Sequence, residues 1–183
     1  MRAFIDFEAS SLGRRGYPIE VGWVLENGDE ASFLILPLAK WTDWDSAAEA
    51  VHGISRAQLA AEGVPADIVA NRLVDALQGH EVLASAPSWD GKWLSALLRA
   101  AELPRHAVRV LDTDTALAEL AAALLAPVLP SGDVHRATRK ILASAAERFA
   151  GQKPAHRALA DAKRERERWL AVSDLAHSYA SRF

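Results

Sequence analysis

The chain has no cysteine, which excludes disulfides and thiolate metal ligands and is compatible with a reducing compartment. Long apolar runs are missing too. The longest, Leu120 to Leu129, falls short of the ~20 residues that span a bilayer, so no membrane partner is expected. There is also no excess of basic charge: 21 Lys and Arg stand against 24 Asp and Glu, a formal net charge of -3. That balance argues against wrapping long duplex through many phosphate contacts. A grip on a few nucleotides needs few such contacts, and bound divalent cations would add positive charge wherever acids cluster. No targeting signal is read at the start, because Asp6 and Glu8 interrupt the only apolar stretch near Met1 and no small-residue cleavage site follows. A cytoplasmic protein is the expectation. Internal repeats and low-complexity tracts are absent as well.

What is present is an ordinary globular mixture, half apolar and a quarter charged over 183 residues, which predicts one folded domain across 1–183. The first forty residues read as a meander of three strands at 3–7, 18–25 and 31–36. Asn27-Gly28-Asp29 forms the second turn, since Asn and Gly tolerate positive φ. Helices are expected at 55–62, 66–79, 89–101, 113–125, 134–149 and 156–178, with strands at 81–85 and 108–111 among them. Pro127 to Asp133 reads as the flexible loop. The outcome is an α/β chain with a mixed five-stranded sheet, three antiparallel strands and then parallel ones, flanked by helices.

Asp6 and Glu8 lie two apart on a strand and so share a face, an arrangement that suits a hard cation with oxygen ligands. Asp-x-Glu alone is a weak signal and also describes a solvated strand face. Phe4, Ile5 and Phe7 favour a buried strand, however, where two charges are costly unless paired or coordinated. Asp90 follows the strand at 81–85 and opens a helix; it reads equally as a helix-start acid stabilised by the free amides there. His156 and Asp161 stand five apart, about 140° around a helix, so they cannot form one tight ligand pair on a regular helix. The spacing instead suits a histidine on the loop after Gly151-Gln152-Lys153-Pro154, free to approach a water, and an aspartate fixed on the helix. A surface histidine beside the solvated charge run Lys163 to Arg168 is the bland alternative.

Together these positions resemble the DEDD exonuclease superfamily, in the branch whose third motif carries histidine, with its ribonuclease H-like fold. Phe4-Ile5-Asp6-Phe7-Glu8 is similar to the first motif, the segment around Asp90 to the second, and His156-Arg157-Ala158-Leu159-Ala160-Asp161-Ala162 to the third. Val51-His52-Gly53-Ile54 is similar to a His-Gly-Ile turn that lies near the terminal nucleotide in that branch. The resemblance covers residues 3 to about 172. It departs at the second motif, where Leu83 to Asp90 has no Asn before its acid; Trp89 keeps the aromatic, and Ser85 or Ser88 must replace the amide.

The resemblance implies a 3'-5' exonuclease that hydrolyses phosphodiester bonds at the 3' end of single-stranded or short nucleic acid, releasing 5'-mononucleotides. It implies two divalent cations about 3.5 to 4 Å apart, Mg or Mn because every protein ligand is an oxygen. Asp6, Glu8, Asp90 and Asp161 would hold them, and His156 would be the general base, a task for which imidazole is suited because it titrates near neutrality. Substrate contacts are expected from His52, Gly53, Ile54, Ala9, Ser10 and Trp89. Trp41, Trp44 and Trp93 offer further aromatic faces, and Lys92, Arg136, Arg139, Lys140 and Arg157 offer cations for phosphates. Glu20 reads as site or scaffold alike. A nonenzymatic nucleic-acid-binding module and a polymerase proofreading subunit are the alternatives. A free-standing enzyme is expected over the latter, since no tail follows the last helix; a homodimer is compatible with the reading.

Overall fold

A computed structural model describes residues 1–183. The meander forms as expected, from β1 (Arg2–Ala9), β2 (Pro18–Leu25) and β3 (Glu30–Leu36), antiparallel in sequence. At the β2–β3 turn Gly28 takes a φ of 103°, and Asn27 Oδ1 accepts the Asp29 amide at 3.0 Å. β5 (Glu81–Ala84) then pairs in parallel with β1, and β6 (Val110–Asp112) in parallel with β5.

The sheet has six strands rather than five, in the order β4-β3-β2-β1-β5-β6. The additional strand, β4 (Val64–Pro65), pairs parallel with β3 and is too short to show an alternating pattern. Its proline sits on the sheet edge, where a missing amide is tolerated.

α1 (Ser46–His52) was not expected as a separate helix. It carries little apolar periodicity and is set by its ends: Asp45 accepts the Ala47 amide, and Gly53 closes it at φ 70°. α2 (Arg56–Glu62), α3 (Ala66–Leu77), α4 (Pro87–Ala100) and α5 (Thr113–Leu125) match their expected spans within a few residues. α6 (Ser131–Arg148) starts inside the segment expected to be a flexible loop. Pro130 stands just before it, and Leu129 packs against the core there. α7 (Ala158–Ala180) begins two residues later than predicted, because His156 has a φ of 52° and cannot be helical.

The pleat of β1 sorts its side chains between two layers. Ala3, Ile5 and Phe7 pack with α3 and α4, while Phe4 packs with α5, α6 and α7. Asp6 and Glu8 lie on Phe4's face, toward α7. That helix meets the sheet at Gly22, where an added Cβ would lie 2.3 Å from the Leu159 amide nitrogen. Gly22 is the cross-strand partner of Asp6, so the closeness of the contact fixes α7 over the acidic pair. Gly22→Ala is expected to push α7 outward and to cost about 1 to 3 kcal/mol or more, as overpacking does. Urea unfolding would show this as a lower midpoint; an unchanged midpoint would mean the helix can shift freely.

Candidate active site

β1 and α7 bring three sequence-predicted acids together. Carboxylate oxygens of Asp6, Glu8 and Asp161 lie within 4.8 Å of one another, a separation one hard cation can bridge. They line a cavity of about 510 Å³ whose wall also includes His156, Ser85 and Arg164. Ser85, rather than Ser88, is therefore the serine at the site.

Asp90 is not among the three converging acids and does not line their cavity; it approaches Asp6 from the opposite layer, close enough for its charge to act there. β5 stops at Ala84, so its pairing with β1 ends at Phe4 and leaves the far half of that β1 edge open. α4 starts in this gap with Pro87 in its first turn and turns Asp90 inward, 97% shielded, beside Asp6. The Asp90 Oδ2 atom is buried and has no hydrogen-bond partner. An unpaired buried carboxylate oxygen is expensive, and a cation between Asp90 and Asp6 would satisfy it. The donor set is all oxygen, which fits Mg or Mn.

The acids strain one another when no cation neutralises them. Burial pushes Asp6 up to about 9, and the charges of Asp90, Glu8, Asp161 and Glu165 add to the rise. Glu8 rises to about 7, first through burial and then through Glu20 and Asp161, with Arg157 pulling the other way. Burial takes Asp90 to about 7 as well, partly offset by the backbone amides of Ala86, Phe7 and Asp90 itself. Unfolded carboxyls ionise near pH 4, so across the range above that the ion-free fold holds protons the unfolded chain has shed. Its stability from these groups is therefore full at low pH and is lost as pH rises through about 7 for Glu8 and Asp90 and about 9 for Asp6. A cation replaces those protons, and the exchange is easier as pH rises. The gain in Tm on adding Mn should accordingly grow between about pH 5.5 and pH 8.5. A gain that stays flat across this range would contradict cation binding at these carboxyls.

His156 lies on the loop before α7, exposed, and lines the same cavity as Asp161. The Ala155 amide donates to Asp161 Oδ1 at 3.0 Å, which ties that loop to the acid.

The other sequence-predicted residues divide. Ala9, Ser10 and Ile54 are buried; Ile54 packs with Tyr17, Ile19 and Leu59, and Ser10 Oγ accepts the Tyr17 amide. Their side chains are taken up by packing, and none lines the acidic cavity. His52 is buried, with Nδ1 accepting the Ile54 amide at 3.0 Å and Nε2 left without a partner. Gly53 is exposed and provides the left-handed cap of α1. Trp89 is 40% exposed, stacked on Trp93, and lies outside the cavity lining.

Trp41 stacks on Tyr17, and Trp44 donates to Glu49, so both tryptophans are engaged within the fold. Lys92 lies over Trp93 and donates to the Gly13 carbonyl, Arg136 pairs with Asp133, and Arg157 pairs with Glu20. Arg139 and Lys140 are exposed on α6 and lie outside the acidic cavity.

Three residues that a charge-run reading treats as solvated line the cavity instead: Arg164, Glu165 and Arg168. They stand three, four and seven positions after Asp161, the helical spacing that keeps side chains on one face, and that spacing was the available signal. Glu165 is buried and paired with Arg168, which also bonds Asp114 on α5.

No family model matches the chain, and no curated protein sequence matches it. Solved structures do share its fold. E. coli exonuclease I in complex with a dT13 oligonucleotide aligns with 90% of this chain and 39% of its own, at 16% identity and a TM-score of 0.61. The zinc-bound form of its complex with single-stranded DNA aligns with 99% of this chain and 40% of its own, at the same identity and score. A 3'-exonuclease that recognises the 3' end of the histone mRNA stem-loop aligns with 96% of this chain and 64% of its own, at 16% identity and a TM-score of 0.62. The chain thus spans less than half of exonuclease I and under two thirds of the histone mRNA enzyme. What is shared is the mixed α/β fold.

Proposed function

We propose that the chain is a divalent-metal-dependent 3'-5' exonuclease of the histidine-bearing DEDD branch, acting on single-stranded or short nucleic acid. The observation that carries this reading is the meeting of Asp6, Glu8 and Asp161 oxygens within 4.8 Å, in one cavity with His156. The fold shared with enzymes solved on single-stranded DNA and on histone mRNA supports it.

In this proposal Asp6, Glu8, Asp90 and Asp161 would hold two Mg or Mn ions. When bound, the ions lower the pKa of the attacking water and stabilise the departing oxygen. His156 takes the proton of that water, which its exposed position on the loop allows. Arg164, on the wall above Asp161, provides a positive charge for the phosphate. The excess of acids over bases at the cavity keeps a bare phosphate out, so substrate and cations enter together.

A digestion series tests the proposal: 5'-labelled single-stranded DNA and RNA, duplexes and dinucleotides, each with Mg and with Mn. Stepwise shortening from the 3' end with release of 5'-mononucleotides is expected, and EDTA should stop it. Shortening from the 5' end, or cleavage indifferent to EDTA, would contradict it. The same series reads sugar preference and substrate length.

A further inference from the structure

Glu20 sits on β2 directly across from Glu8, yet its bonds go elsewhere. Its side chain is 3% exposed. Oε1 accepts from Arg157 Nη2 at 2.7 Å and Nε at 3.2 Å; Oε2 accepts from Arg157 Nε at 3.2 Å and the Ala158 amide at 3.0 Å. Both oxygens are filled, and Glu20 is not one of the three acids whose oxygens converge. Every one of those bonds ends on the two residues that follow His156.

The other side of His156 is held as well. Ala155 donates to Asp161, and Arg164 Nη2 donates to the Gln152 carbonyl at 2.8 Å. Between these anchors His156 has a φ of 52°, a left-handed conformation that side chains with a Cβ rarely adopt. A single residue in that region persists only where its neighbours impose it. Glu20 also caps α7, since the Ala158 amide is one of the donors a helix leaves unpaired at its start, and a negative charge there suits the helix dipole.

We propose that Glu20 is a positioning residue: through Arg157 and the Ala158 amide it holds His156 in its left-handed conformation, so that the imidazole stays in the acidic cavity. This rests on His156 being the base of the proposed nuclease. Cutting the anchor would let the loop relax to extended conformations, so that only a fraction of molecules present the imidazole. From the usual preference against left-handed backbone, that fraction is about one in five to one in thirty.

The test compares Glu20→Ala and Arg157→Ala in the wild-type and His156→Ala backgrounds. Single-stranded oligonucleotide turnover with Mn, Mn-induced gain in Tm and hydrogen exchange of the Ala155 amide are measured for each. Expected are a kcat lower by about 5- to 30-fold with KM little changed, a retained Mn-induced gain in Tm, and faster Ala155 exchange. In the His156→Ala background neither change should slow turnover further, because residues acting through one group are not additive. Loss of the Mn-induced gain would make Glu20 a ligand and overturn the proposal, as would equal slowing in both backgrounds. Arg157, half-exposed, carries the test if Glu20→Ala does not fold. The exchange measurement separates the two readings: faster Ala155 exchange in an inactive wild-type frame would sink the nuclease and leave the positioning, and unchanged exchange would sink the positioning whatever the activity.

Discussion

Asp6→Asn will stop nucleotide release and at the same time raise the melting temperature of the ion-free protein. The charges of Asp90, Glu8 and Asp161 all act on Asp6, so in the proposed site it would be the acid shared by both cations. Asparagine keeps its volume but offers one neutral oxygen. Loss of several kcal/mol of charge stabilisation, at a factor of ten for each 1.4 kcal/mol or so, predicts a fall of about a thousandfold or more in kcat/KM. Stability moves the opposite way. Asp6 is pushed up to about 9 in the ion-free fold, so near neutral pH folding must reprotonate a group that is ionised in the unfolded chain. Asparagine removes that penalty, and each kcal/mol regained lifts Tm by about 2 to 4 °C in a chain of this size. The Mn-induced gain in Tm should largely disappear. A variant that keeps wild-type turnover would remove Asp6 from the mechanism, and one that melts lower without ions would show that its charge supports the fold.

His156→Ala separates chemistry from cation binding. The imidazole is exposed, accepts and donates no hydrogen bond within the protein, and packs in no apolar cluster. Its removal should leave Tm nearly unchanged and the Mn-induced gain intact, while kcat falls by about a hundredfold to ten-thousandfold, the range of a general base. Turnover at the wild-type rate would mean that the water's proton leaves by another route. Loss of the Mn-induced gain would instead make His156 a ligand.

These effects depend on an arrangement that the chain announces unevenly. Asp6 and Glu8 are a weak signal as Asp-x-Glu alone; what singles them out is that the alternation of β1 puts them on one face while the flanking Ile5 and Phe7 bury the other. Asp90 is ambiguous in the sequence for a physical reason: it is a first-turn helix acid and also a buried neighbour of Asp6. The early end of β5 makes room for it beside Asp6. The spacing of His156 to Asp161 suits a loop position, against a periodicity that starts the helix at 156; its positive φ is held through Glu20, 136 positions earlier, by contacts to Arg157 and Ala158 that no local pattern encodes. Arg164, Glu165 and Arg168 were hidden in a charge run that looks solvated until the face of α7 bearing Asp161 is known to turn inward. In the fold, the elements that escaped notice were β4 and α1, which are fixed by an edge pairing and by caps rather than by a periodic apolar pattern. Ile54 shows the converse. A motif resemblance points it at substrate, and its neighbours Tyr17, Ile19 and Leu59 enclose it.

Anomalous scattering from a crystal of the wild-type protein soaked in Mn, at pH near 8, tests the central claim most directly. The account predicts manganese among the carboxylates of Asp6, Glu8 and Asp161, and a second ion between Asp6 and the unpaired oxygen of Asp90. Manganese bound elsewhere, with these four side chains left bare in protein that still shortens oligonucleotides, would contradict it.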